Sequence, residues 1–115
     1  MRHARGPTKL RVMFGAEIAI GPGKADLLEA IAATGSISGA AKRLGISYRR
    51  TWLLVDTMNR CFRESVVSSA TGGMGGGGAE VTDFGRRVLA SYRAMQSRVD
   101  RALDPELERF SELLR

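Results

Sequence analysis

Residues 35–52 read GSISGAAKRLGISYRRTW, and their spacing predicts two short helices joined by a tight turn. Ser36 or Ser38 suits the N-cap of the first helix, because a serine hydroxyl accepts from the unpaired N–H groups of a first turn. Ala40, Ala41 and Leu44 then form an inner stripe, Gly45 permits a left-handed turn, Ile46 plugs the corner, and Ser47 caps the next helix. Two steeply crossed helices require just such a small residue at the crossing, a permissive one in the turn and an apolar plug after it. The pattern is a helix-turn-helix that runs on to about Phe62.

The second of these helices opens with Tyr48, Arg49 and Arg50 in its first turn, the end that recognition helices insert into the major groove of DNA. An arginine there donates to guanine in a bidentate pair or reaches a phosphate, and the tyrosine offers a hydroxyl to a phosphate or a ring to a thymine methyl. Ser36, Ser38, Lys42, Arg43 and Ser47 join them as candidate contacts to double-stranded DNA. Trp52, Val55, Met58 and Phe62 recur at three- and four-residue spacing and are expected in the core. Leu53 falls outside that stripe and is expected at a contact between subunits.

Downstream, Val66–Ala70 and Ala79–Thr82 are short enough to be two strands flanking Thr71-Gly-Gly-Met-Gly-Gly-Gly-Gly78. Six glycines add no stability to a hairpin tip, since each costs roughly 0.5–1 kcal/mol relative to alanine in a regular element. Close approach of bare backbone to another surface is the better use. Thr71, Gly72, Gly73, Met74, Gly75 and Gly76 are therefore expected at the tip of a wing, about residues 66–82, lying in the minor groove or along a phosphate strand. A mobile linker is the plainer alternative. A nucleotide-binding loop is disfavoured, because the glycines lead into Ala79 and Glu80 rather than a Gly-Lys-Ser/Thr turn.

Leu10–Phe14 and Glu17–Ile20 alternate as two short strands around Gly15, and Gly21-Pro22 opens a first helix that runs to about Thr34. Leu27, Leu28, Ile31 and Ala32 are expected to face the core, with Gly35 as the stop. At the other end Thr82 caps a helix from Asp83 to about Leu103, roughly 31 Å long. Val88, Tyr92, Met95, Val99 and Ala102 alternate four- and three-residue steps, the spacing of a seam for a partner helix, here the same helix of a second copy. Asp104-Pro105 is expected to end it, and Glu106–Leu114 to form a short final helix that closes over the dimer or caps the core. The division is a winged helix-turn-helix domain over 1–82 and a helical dimerisation segment over 83–115, mainly α with a small β wing.

At 115 residues the chain suits one domain, and the absence of an apolar run of about 20 residues argues against a membrane span. The basic start leads into a strand-like run rather than a secretory apolar region, so a cytoplasmic location is expected. The net charge of +6 points to an anionic partner, and its distribution sharpens this. Between residues 36 and 60, Lys42, Arg43, Arg49, Arg50 and Arg60 face only Asp56, whereas 104–115 holds four acids and two arginines. With a single histidine, His3, in the basic tail, a single cysteine, Cys61, at the end of an apolar face, and no paired carboxylates, neither a nucleophile–base pair nor a metal site assembles. No enzyme activity, cofactor or metal is expected.

Taken together, Gly35-Ser-Ile-Ser38, Ala41-Lys42, Gly45-Ile-Ser-Tyr48, Trp52, Met58-Asn59 and the tract from Ala70 to Ala79, followed by Thr82 and Gly85, resemble the N-terminal DNA-binding domain of ModE-type molybdate-responsive transcriptional regulators. These are themselves distant relatives of LysR-type winged helices. The resemblance covers about residues 22–103 and implies a homodimer on a palindromic operator, with molybdenum-related genes as targets. Met74 stands where family members often carry lysine, and Ser68-Ser69 where an acidic–basic pair is usual, which implies a weaker wing contact to phosphate. The molybdate-binding domains that follow in full-length members lie outside the part that the resemblance covers, so molybdate binding is not expected of these residues. A second reading is a truncated partner that heterodimerises with a full-length regulator and modulates it.

Overall fold

The structure is a computed structural model that describes residues 9–70 and 78–115. Chain order is β1 (Val12–Phe14), β2 (Glu17–Ile20), α1 (Pro22–Thr34), α2 (Ile37–Leu44), α3 (Tyr48–Cys61), β3 (Val67–Ala70), β4 (Gly78–Val81) and α4 (Asp83–Ser111). β1 and β2 form an antiparallel hairpin around Gly15, and β3 pairs antiparallel with β4 in the register Val67↔Val81 to Ala70↔Gly78.

Hydroxyl caps start three of the four helices among the described residues. Ser36 accepts from the Gly39 amide at 2.8 Å, Ser47 from the Arg50 amide at 3.1 Å, and Thr82 from the Gly85 amide at 2.9 Å, each bond worth about 1 kcal/mol to its helix. Gly35 and Gly45 end α1 and α2 in the left-handed region at φ of 73° and 70°. The punctuation read from residues 35–52 is thus the punctuation of the fold.

The core forms where α1, α2 and α3 meet the base of the β3–β4 hairpin and the first turns of α4, with Leu27, Leu28, Ile31, Met58, Val66 and Tyr92 fully buried. Thr51 is buried among them because its hydroxyl donates to the Ser47 carbonyl at 2.8 Å, which satisfies the polar group without a distant partner. No helix among the described residues is long and apolar enough to cross a membrane.

Several expectations are corrected. Ala32 is exposed, and Ala25 and Ala30 fill the α1 core face instead. Trp52 is 48% exposed, because the inner stripe of α3 is Thr51, Val55 and Met58, and one residue along a helix turns a side chain by about 100° from its neighbour. Tyr92, expected on the seam between copies, lies in the protomer's own core, with its hydroxyl donating to the Leu10 carbonyl at 2.7 Å. Asp104-Pro105 does not end the last helix, and no separate final helix follows: α4 runs unbroken over 29 residues, about 44 Å, with Pro105 inside it. Only its first turns contribute to the body, so the molecule measures 55 × 29 × 23 Å. Its radius of gyration of 16.7 Å exceeds the roughly 13 Å of a compact chain this long, the excess being the projecting rod.

Candidate nucleic-acid interface

Tyr48 and Trp52, four residues apart, share one side of α3 and face the β3–β4 hairpin across a groove of about 330 Å³. Ser38 and Asp56 line it with them, and Ser68 and Ser69 form its far wall. Tyr48 is 58% exposed, so the groove presents two half-covered aromatic faces beside hydroxyls and a carboxylate. That is a surface suited to the edges of bases and the methyl of thymine. The helix and the wing therefore bound a common concavity.

Three sets of bonds hold the hairpin against the helices. The Asn59 side chain behaves as an extra strand residue: Oδ1 accepts from the Val66 amide at 2.8 Å and the Val67 amide at 3.3 Å, while Nδ2 donates to the Val67 carbonyl at 3.1 Å. The Ala79 amide donates to the Gly35 carbonyl at 2.9 Å, which ties β4 to the corner between α1 and α2. Thr82 donates from its amide to the Val66 carbonyl at 3.0 Å and from its hydroxyl to the Ser65 carbonyl at 2.7 Å.

The basic candidates divide. Arg49 is exposed on the first turn of α3 and Lys42 is exposed on α2. Arg50 points to the other flank of α3, into a cleft shared with Arg11 and Lys24. Arg43 lines a third depression with Asp26, Glu29 and Arg93 and shares no lining residue with the groove, so it is not brought together with Tyr48. Ser36 and Ser47 use their hydroxyl oxygens as helix caps, and Ser38 lies in the groove. Thr71, Gly72, Gly73, Met74, Gly75 and Gly76 lie outside the described residues. Of the proposed seam, Val88 packs partly on the core and Tyr92 wholly within it, whereas Met95, at 41% exposure, and Ala102 face solvent and Val99 is half-covered.

Sequence reasoning missed Trp52 as a groove residue and Asn59 as the wing clamp. The first was legible in its four-residue spacing from Tyr48. The second carries no local signal, since its partners lie seven and eight residues away in another element.

Among the described residues three groups have shifted proton affinities. Burial pushes the Tyr92 hydroxyl up, with Arg93 opposing. Burial also pulls the Lys24 ammonium down, against the attraction of Cys61 and Glu17. For Arg93 burial works downward but is outweighed by its bonds to Glu29 and Asp26, so its guanidinium is held above the ordinary value. Those bonds clamp α4 to α1, with Arg93 reaching Asp26 at 3.0 Å as well as Glu29, while Gln96 of the same helix accepts from the guanidinium at 2.9 Å and steadies it. Among the described residues no group of three or more His, Cys, Asp or Glu side chains is placed to hold a metal.

No protein-family model matches the chain. It is 46% identical over 87 residues to the molybdenum transport protein ModE of Azotobacter vinelandii, covering 76% of this chain and 32% of that one. It is 41% identical over 83 residues to the DNA-binding transcriptional dual regulator ModE of Escherichia coli K12, covering 72% and 32%. The molybdenum-pterin-binding protein MopA of Rhodobacter capsulatus is 39% identical over 84 residues, covering 73% and 32%. The chain thus spans about a third of the length of these curated relatives. Among solved structures, the full-length LysR-type regulator LysG of Corynebacterium glutamicum with bound effector arginine matches with a TM-score of 0.53 at 24% identity, over 76% of this chain and 29% of that one. Similar in sequence to regulators of the ModE type and in fold to a LysR-type regulator, the chain is a ModE-like winged helix-turn-helix protein.

Proposed function

We propose that this chain is a homodimeric, sequence-specific DNA-binding regulator that reads a palindromic operator, with molybdenum-related genes as its targets. The observation that carries the reading is the shared groove: Tyr48 and Trp52 of α3 and Ser68 and Ser69 of β3 face one another, so one duplex can meet helix and wing together. The relatives named as ModE regulators support it, one of them named as DNA-binding. Arg49, exposed on the first turn, enters the major groove and reads a guanine; Tyr48 and Trp52 meet thymine methyls. The second copy pairs along the outer part of α4, where Met95, Val99 and Ala102 have no core to cover them. The molybdenum and molybdenum-pterin names belong to much longer proteins, and no molybdate site is placed on these residues.

A gel-shift titration on a duplex selected from a random pool tests the reading. With roughly six to ten phosphate contacts per dimer, log affinity falls against log salt with a slope near −0.9 per contact. No retardation at low salt overturns the proposal. Arg49→Ala is expected to cost about 1–3 kcal/mol of binding per half-site and to relax preference at one base position in each half, read by repeating the selection with the variant.

A further inference from the structure

On the flank of α3 away from the wing, Arg50 shares a cleft of about 510 Å³ with Lys9 and Arg11 ahead of β1 and with Lys24 on α1. Four cations from three separate stretches of chain thus converge on one concavity. The acid in its lining is Asp26, and that carboxylate is already engaged by Arg93 at 3.0 Å. Lys9, Arg11 and Arg50 are exposed and make no ion pair among the described residues, while Lys24 is half-buried and donates to the Ile18 carbonyl. Glu17 offsets part of the Lys24 charge, but the three exposed cations have no ion-pair partner of their own among the described residues, so they repel one another, and a polyanion relieves that repulsion. A tetrahedral oxyanion with several acceptor oxygens suits guanidinium forks in particular.

We infer that this cleft is a phosphate site that grips the backbone of the same duplex on the side of the recognition helix opposite the wing, with Arg11 and Arg50 as its principal donors. The inference rests on the DNA-binding reading above and deepens it. It splits the two neighbouring arginines of the recognition turn by role: Arg49 faces the bases, and Arg50 turns back to a phosphate. It also gives the β1–β2 hairpin a task, that of presenting Lys9 and Arg11 beside α3. Wing and cleft then straddle the major groove, one on each flank of the inserted helix.

The test compares wild type with Arg11→Gln and Arg50→Gln, using Arg98→Gln on the exposed face of α4 as a control. Binding to the selected operator and to a random duplex is measured across about 50 to 200 mM salt. Each cleft variant, carrying the change in both subunits, is expected to shed about 1.8 from the salt slope, so that this salt step costs it about twelvefold less affinity than it costs wild type. The loss at low salt is expected to be the same on both duplexes, and the control is expected to behave as wild type. Both side chains are exposed and stand on separate stretches of chain, Arg11 just ahead of β1 and Arg50 on α3, so if thermal melting shows one variant misfolded the other carries the measurement. Unchanged slopes in both variants overturn the inference, as does a loss confined to the operator, which makes Arg50 a base reader. Inorganic phosphate at matched ionic strength supplies the other arm. If it raises the wild-type melting temperature, loses that effect in Arg11→Gln, and the DNA slopes stay unchanged, the cleft holds a free oxyanion and the backbone assignment is wrong. Failure of wild type to bind any duplex removes the DNA-binding reading itself, an outcome distinct from binding with unaltered slopes.

Discussion

Gly45 and Gly85 are both fixed as glycine, for opposite reasons. At Gly45 an added Cβ meets no atom within 4 Å, and the constraint is the left-handed φ of 70° in the helix-turn-helix corner. At Gly85 the constraint is space: a Cβ there lies 2.2 Å from the Val66 carbonyl oxygen, where α4 rests on the chain entering β3. Helix propensity alone favours Gly85→Ala by about 1 kcal/mol. The backbone contact outweighs it, and the variant is expected to be less stable than wild type by about 1–3 kcal/mol. A urea midpoint at or above that of wild type contradicts this. Tyr92 provides a pH-dependent case. Its hydroxyl is buried and donates to Leu10, and its folded affinity for the proton lies above the unfolded value of about 10. The stabilisation this represents is fully present below the unfolded value and is lost as pH rises through the folded one. Tyr92→Phe is therefore expected to cost about 1 kcal/mol at neutral pH, from the lost hydrogen bond, and progressively less in alkali. Urea midpoints of the pair at neutral pH and above pH 10 measure the narrowing gap; a constant gap contradicts it.

Among elements, α3 and the wing act as a unit because Asn59 substitutes for a strand partner at the base of β3. Asn59→Ala leaves two amides and a carbonyl at the base of β3, those of Val66 and Val67, without these bonds, at a cost of about 1–3 kcal/mol of stability, and is expected to weaken DNA affinity through a looser wing. Amide hydrogen exchange checks it: the amides of Val66 and Val67 should exchange faster while the core of α1 stays protected. How far the sequence revealed these elements follows from the range of the forces that set them. Caps and left-handed stops act over three or four residues, so Ser36, Gly45, Ser47 and Thr82 announced their helix ends. Facing is finer, and the spacing of Trp52, Val55, Met58 and Phe62 was compatible with a stripe rotated by one residue from the true one. Only the buried hydroxyl of Thr51, satisfied within its own helix, shows which is correct. Pro105 misled because a proline that forfeits one backbone bond usually ends a helix, yet here the exposed rod continues past it. The cleft with Arg11 and Lys24 was illegible for a different reason, since residues far apart in sequence meet there only after folding.

At the scale of the whole molecule, the outer part of α4 and the residues that follow it leave Met95, Phe110 and Leu114 exposed at 41%, 53% and 43%, far from any core of their own. Val99 lies between Met95 and Ala102 on that seam, so Val99→Glu is expected to convert the proposed dimer to monomer while the melting of the body, which packs through Tyr92 and earlier turns, changes little. Sedimentation velocity reads the first effect and thermal denaturation the second; a variant that still sediments as a dimer places the pairing elsewhere. Operator affinity should fall with it, because each half then binds alone and the gain from tethering is lost. The junction between wing and rod adds one more consequence. β4 passes into α4 through the single residue Thr82, and Gly85 abuts the strand it follows, so no pliant linker separates the two. A paired molecule built this way behaves as a caliper with stiff arms: torque applied at one end of the rod arrives at the jaws undiminished, and an operator whose half-sites are rephased by half a helical turn presents its second half on the wrong side of the duplex.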